Sequence, residues 1–290
     1  MKNITRFILA IILLFLPITI FAETTFMYNG LQFKTLDDKT CEVTAIVTNN
    51  EDDSYNHEYS ELLSGELILP EYPTNNGKVY TLTEIDETAF ISCHKLTSVV
   101  IPNSVLKIGA HAFEWCTGIT SLTIGDSVTE IGNSAFSECT SLTFVNIPNS
   151  VISIDNNAFD GCSELTDIII GNSVTTIGNK AFLDCTSIKN IYYLPSTGIE
   201  ANENIFDKSV YDNACLYANY DIIYTVSPWN KFIHRDITTN TELIEINEHS
   251  KIPVSIYTLY GTKINDNIKN LPKGVYIIKI GDKVDKIIKK

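Results

Sequence analysis

Cys93, Cys116, Cys139, Cys162 and Cys185 are the residues whose type and spacing most invite chemistry, since each follows the last by 23 positions. A cysteine can ligate a metal, attack as a thiolate or close a disulfide. Structural zinc sites draw on C-x-x-C pairs, and none occurs in this chain, so no metal and no cofactor is expected. A disulfide needs Cβ atoms about 3.8 Å apart at a steep dihedral. Side chains in one column of stacked repeats run parallel, one repeat apart. The spacing therefore favours five unpaired thiols packed as small hydrophobes, with bridges between successive repeats as the alternative. Cys41 and Cys215 lie in opposite flanks, and the sequence does not fix their redox state.

The other candidates are weaker. His94 and His111 occupy variable positions and are expected to face solvent. Glu51-Asp52-Asp53 is acidic but lacks the alternating ligand spacing of a calcium loop, so it reads as a solvated loop, with a weak calcium site as the alternative. The patterns G-x-S-x-G and H-E-x-x-H and a glycine-rich phosphate loop are missing. Without a positioned base, nucleophile or metal, no catalytic residue is nominated and an enzyme is not expected. A formal charge of −14 over 290 residues argues against a nucleic-acid partner, which needs a basic face.

The cysteines belong to a longer register. Ala89, Ala112, Ala135, Ala158 and Ala181 keep the same period, as do Phe90, Phe113, Phe136, Phe159 and Phe182, and Ile85, Ile108, Ile131, Ile154 and Ile177 open the units. Self-similarity at a fixed period of this size is the signature of a repeat solenoid. Within a unit, Leu142, Val145 and Ile147 fit a strand, because inward and outward side chains alternate at period two. Pro148, or its counterpart Gly125, ends that strand, and Asn149-Ser150 supplies turn chemistry. Asn133 to Cys139 suits a short helical turn with Asn133 or Ser134 as its cap. The expected fold is a curved parallel β-sheet with short helical turns, its core built from the Phe and Cys columns. Stacking is required because one unit cannot bury its apolar positions alone.

Two strand positions per unit point away from that core. They are Ser98, Ser121, Phe144, Asp167 and Asn190 in one column, and Val100, Thr123, Asn146, Ile169 and Tyr192 in the next. These letters vary while the core letters stay fixed, and Phe144, Ile169 and Tyr192 are large apolar groups that strand packing does not require there. An exposed apolar patch on a concave sheet marks a contact surface, so these ten residues are the expected ligand-binding face.

The A-F-x-x-C-x-x-L-T-x-V-x-I-P-N-S unit, over Ile85 to Ile191, resembles the BspA-type leucine-rich repeat. Gly77 to Ile85 is similar to that family's opening strand, and Cys215-Leu216-Tyr217 with Tyr220, Tyr224, Trp229 and Phe232 to its closing segment. The fifth copy departs after Cys185, where Tyr192-Tyr193-Leu194-Pro195 replaces the usual strand end. The resemblance implies an adhesin-like protein that binds host matrix or microbial surface proteins. A glycan ligand held on Phe144 and Tyr192, or a spacer with no ligand, are the other readings. The expected divisions are 1–22 leader, 23–84 N-terminal flank, 85–199 five repeats, 200–241 C-terminal cap and 242–290 tail.

Both ends read as addresses. Lys2 and Arg6 precede an apolar run from Phe7 to Phe21, with Ala22 at its exit, which is the pattern of a secretory signal peptide; an uncleaved anchor is the alternative. No transmembrane segment is expected in the mature chain. Residues 23–249 hold 32 acids against 10 Lys or Arg, a net of −22, whereas 250–290 hold 9 Lys against 3 Asp, a net of +6. Runs at Val254 to Tyr260, Val275 to Ile280 and Lys283 to Ile288 suggest a small antiparallel β module, which the charge contrast could dock on the acidic repeats. The runs Val254 to Gly261 and Leu271-Pro272-Lys273-Gly274-Val275-Tyr276-Ile277, with terminal Lys289-Lys290, resemble the C-terminal sorting domain of type IX secretion. That resemblance implies the type IX machinery as a partner and a secreted or bacterial cell-surface protein, with Gly261, Leu271, Pro272, Lys273, Gly274, Tyr276, Lys289 and Lys290 carrying the signal.

Overall fold

A unit whose strand alternates at period two and then turns back must place its next copy directly beside it, so that each buried letter meets its equivalent. A computed structural model of the chain shows this arrangement. It describes residues 24–45, 47–49, 55–57, 62–193, 195, 199, 201, 204–218, 228–235, 254–258, 263–264, 274–280 and 283–289. The fold is a curved, mostly parallel β-solenoid, in agreement with the fold class read from the repeats.

Each unit contributes to two ladders. The long ladder holds Gly65–Ile68, Leu96–Val100 and Ser121–Thr123 in one sheet, and Phe144–Ile147, Asp167–Ile170, Asn190–Tyr193, Cys215–Tyr217 and Ile233–Arg235 in another. Equivalent residues pair in register, as Val99 with Leu122 and Val145 with Ile168 and Ile191 in turn. The short ladder runs through Thr81–Ile85, Lys107–Ile108, Glu130–Ile131, Ser153–Ile154 and Thr176–Ile177, and continues into the N-terminal strands Thr40–Thr44, Leu31–Thr35 and Thr25–Tyr28. Its two-residue strands carry too little alternation for a sequence pattern to show them.

The segment expected to be a helical turn is built differently. In each unit the residue before the conserved alanine and the residue two after the phenylalanine have left-handed backbone, at φ between 51° and 73° from Thr88 and Ser92 through Lys180 and Asp184. Left-handed residues do not continue an α-helix. Alternate amides therefore split their bonding. Those of Ser134, Phe136 and Glu138 donate to the carbonyls of Asn156, Ala158 and Asp160 in the next rung, at 2.9, 2.8 and 2.7 Å. Those of Ala135, Ser137 and Cys139 close turns onto Gly132, Ser134 and Phe136 within their own rung. Backbone polarity is thus satisfied deep in the stack.

The core lies between the ladders and this turn edge. Phe90, Phe113, Phe136, Phe159, Phe182 and Phe206 form a column of near-parallel rings, with centroids 5.0 to 5.4 Å apart. All six are buried, each worth roughly 1.5–3 kcal/mol in burial alone. Beside them the five ladder cysteines are fully buried and free. The thiols of Cys116, Cys139, Cys162 and Cys185 donate to the carbonyls of Phe90, Phe113, Phe136 and Phe159, at 3.1, 3.4, 3.2 and 3.0 Å. At the far end Trp229 donates its indole N–H to Ile199 O at 2.9 Å and packs on Tyr193 and Phe232.

The tail forms a separate four-stranded antiparallel sheet in the order Lys263–Ile264, Val254–Thr258, Gly274–Ile280, Lys283–Lys289. Among the described residues, no helix is long and apolar enough to cross a membrane. The leader, Glu51-Asp52-Asp53, Gly261, Leu271, Pro272, Lys273 and Lys290 lie outside the described residues; Gly274, Tyr276 and Lys289 lie in strands of the tail sheet.

Candidate functional site

Alternation decides which side chains leave the core. Val99, Leu122, Val145, Ile168 and Ile191 are buried in the core cluster, so their neighbours in the strand point to the outer face of the long ladder. Register then aligns Ser98 with Ser121 and Val100 with Thr123. Further along it aligns Phe144 with Asp167 and Asn190, and Asn146 with Ile169 and Tyr192. The ten nominated residues therefore make two columns on one face.

Those columns are interrupted. Ser121–Thr123 and Phe144–Ile147 belong to different sheets. Thr120 donates its hydroxyl to Thr97 O at 3.2 Å, and Thr166 Oγ1 lies 3.0 Å from Thr143 O. The equivalent hydroxyl of Thr143 is buried with no hydrogen-bond partner among the described residues. The seam falls where the serine of the column gives way to Phe144.

Exposure divides at the same seam. Ser121 and Thr123 are exposed, and Ser98 and Val100 half-buried. Beyond it Asn146 and Asn190 are half-buried, but Phe144, Asp167, Ile169 and Tyr192 are only 3, 5, 0 and 4 % exposed. The expectation of exposed apolar groups at 144, 169 and 192 is thus corrected. In-register stacking accounts for part of it: Ile169 lies between Asn146 and Tyr192, and the Tyr192 ring stacks on Tyr217 with centroids 4.8 Å apart. Phe144, Ile169 and Tyr192 stand outside the contiguous core cluster. The Asp167 carboxylate accepts hydrogen bonds from Thr166 Oγ1 at 2.6 Å and Asn190 Nδ2 at 2.7 Å. None of Phe144, Asn146, Asp167, Tyr192 and Tyr217 is without a partner.

The face extends past the ten residues at both ends. Glu66 aligns with Ser98 and Ile68 with Val100, and Ile68 is 62 % exposed. Its signal was present in the sequence, because Leu67-Ile68-Leu69-Pro70 matches the ending Val99-Val100-Ile101-Pro102. At the other end Tyr217 continues the column of Tyr192.

Titratable groups gather elsewhere. Among the described residues, no three His, Cys, Asp or Glu side chains are arranged to hold a metal. Burial pushes the thiols of Cys116, Cys139 and Cys185 well up, and that of Cys41 to about 12, which keeps them protonated and unreactive. His94 is exposed, whereas His111 is half-buried, with Nδ1 2.8 Å from Glu114 Oε2. On the turn edge Asp160 is raised to about 6, by burial first and then by Asp184 and Glu138.

Residues 83–212 match the family described as the BspA type leucine rich repeat region, in six copies. The chain is similar to a leucine-rich repeat protein from Bacteroides ovatus ATCC 8483, with 25 % identity and a TM-score of 0.54 over 76 % of this chain and 53 % of that one. It thus spans about half the length of that protein. It is also similar to the T. pallidum leucine rich repeat protein, with 27 % identity and a TM-score of 0.46 over 60 % of this chain and 69 % of that one. No curated protein matches the chain.

Proposed function

We propose, from the match of residues 83–212 to the BspA type leucine rich repeat region, that the chain is an exported, non-catalytic surface protein that binds a host or microbial macromolecule, adhesin-like, through the outer face of its long ladder. The observation that carries this is the contrast between columns. Phenylalanine, cysteine and alanine recur unchanged through the five units, while the outward positions run Ser98, Ser121, Phe144, Asp167, Asn190. A scaffold that fixes shape and frees one face is how solenoids hold a ligand. The open part of that face, around Ile68, Ser98, Val100, Ser121 and Thr123, is where first contact falls.

A glycan platform gains less support. A sugar needs a free aromatic face, and the Tyr192 and Tyr217 rings stack on each other. Export by a type IX route, with residues 250–290 as its signal, completes the proposal; deleting them should hold the protein in the periplasm, and unchanged surface display would refute that route.

The binding reading is tested on the open half. Ser121→Arg with Thr123→Arg puts two long cations where both native side chains are exposed. Capture of the full chain by immobilised matrix proteins is expected to fall at least tenfold with the melting temperature unchanged. Equal capture by the variant would overturn the assignment of this face.

A further inference from the structure

Trp115 occupies a position that the repeat otherwise gives to small or polar residues. Its equivalents at intervals of 23 are Ser92, Glu138, Gly161 and Asp184. The backbone there is left-handed, with φ 59° at Trp115, a conformation that bulky side chains disfavour. The indole is also 49 % exposed, and among the described residues its side chain makes no ring contact and no hydrogen bond. The core gains nothing from it, because Phe113 and Cys116, two before and one after it, fill the interior.

The surroundings are polar and open. Ser92 and Glu138 flank Trp115 on the adjoining rungs, where the Ser92 amide donates to Glu114 O at 2.7 Å and the Trp115 amide to Ser137 O at 2.8 Å. Ser92 is small, and the Glu138 carboxyl leans the other way, since a Cβ on Gly161 would lie 2.5 Å from its Oε1. Both neighbours therefore leave room beside the ring. The same edge carries exposed His94, its Nδ1 3.4 Å from Thr117 Oγ1, and half-buried His111, its Nδ1 2.8 Å from Glu114 Oε2.

We propose that Trp115 is the platform of a second binding site, on the turn edge, for a neutral pyranose glycan. A pyranose with equatorial hydroxyls carries axial C–H groups on a face that packs on an indole. Its hydroxyls both donate and accept, which suits imidazole, hydroxyl and carboxylate partners alike. A protein anchor would instead need apolar neighbours that exclude water around it, and here the aligned residues, Ser92 and Glu138, are polar. The carboxylates of Glu114 and Glu138 disfavour an anionic sugar. Tyr192 and Tyr217 stack on each other, whereas this ring is open to solvent. The site is independent of the outer face of the long ladder, so either assignment can fail alone.

Saturation-transfer NMR on the full chain tests it, with methyl β-D-glucopyranoside and methyl β-D-galactopyranoside as probes. Transfer to the ring protons of at least one of the two is expected, and Trp115→Asn should lower its affinity at least tenfold. Asn accepts left-handed backbone, so this variant should melt no lower than the parent; Trp115→Ser, the residue of the first rung, replaces it if it does. Methyl β-D-glucuronide should bind several-fold more weakly than the better neutral glycoside. Absence of transfer to both neutral probes, equal affinity in the folded variant, or a glucuronide bound as well as the neutral sugar would overturn the proposal.

Discussion

Asp160 stands among like charges on the turn edge: Glu138, Asp184 and Asp207 oppose its ionisation, and only Lys180 favours it. One of its oxygens is buried with no hydrogen-bond partner among the described residues. Its folded pKa of about 6 lies above the 3.8 of an unperturbed carboxyl, so between those values the folded state binds more protons than the unfolded one. Stability from this group is therefore present below about pH 4 and is lost as pH rises through 6. Asp160→Asn should melt higher than the parent at pH 7.5, with the difference closing by pH 4; thermal scans at both pH values check it. Phe136, by contrast, sits between Phe113 and Phe159 at 5.3 Å on either side. Phe136→Ala should cost about 3–5 kcal/mol by denaturant unfolding, because a central rung cannot collapse around the hole. The Phe and Cys columns were legible because identical letters at a fixed period leave one geometric solution. Asp160 was not, because its neighbours come from three different rungs.

At the scale of elements, the strand end shows why proline and glycine alternate there. A Cβ on Gly125 would lie 2.3 Å from Pro102 O, and one on Gly171 the same distance from Pro148 O. Backbone cannot yield as a side-chain tip can, so the rungs would have to separate. Gly125→Ala is expected to destabilise by about 1–3 kcal/mol, read from the shift of the denaturation midpoint at unchanged slope. Alternation predicted the long-ladder strands and the direction of their side chains. It did not predict the turn edge, since Ser134 and Glu138 are not residues that announce left-handed backbone. Exposure at Phe144, Ile169 and Tyr192 was beyond a local pattern for the same kind of reason: it depends on contacts between rungs, such as the Tyr192 ring on Tyr217.

For the molecule as a whole, the ladder thiols report on integrity. Six of the seven cysteines are buried, and only Cys215 is partly open. A thiol reagent at pH 8 should label Cys215 alone in the native protein, and the others only as fast as the stack unfolds; early labelling of Cys116, Cys139 or Cys162 would show that rungs open independently. At the C-terminal end Phe206 joins the ring column one step past the fifth copy.

The ring column has an evolutionary corollary. Since every phenylalanine meets only its nearest counterparts, at nearly the same distance throughout, a duplicated or lost unit of 23 residues leaves each surviving junction as it was. Descendants can lengthen or shorten their spine by whole increments without inventing new interior, while an insertion of a few residues inside the stack would derail every letter downstream of it.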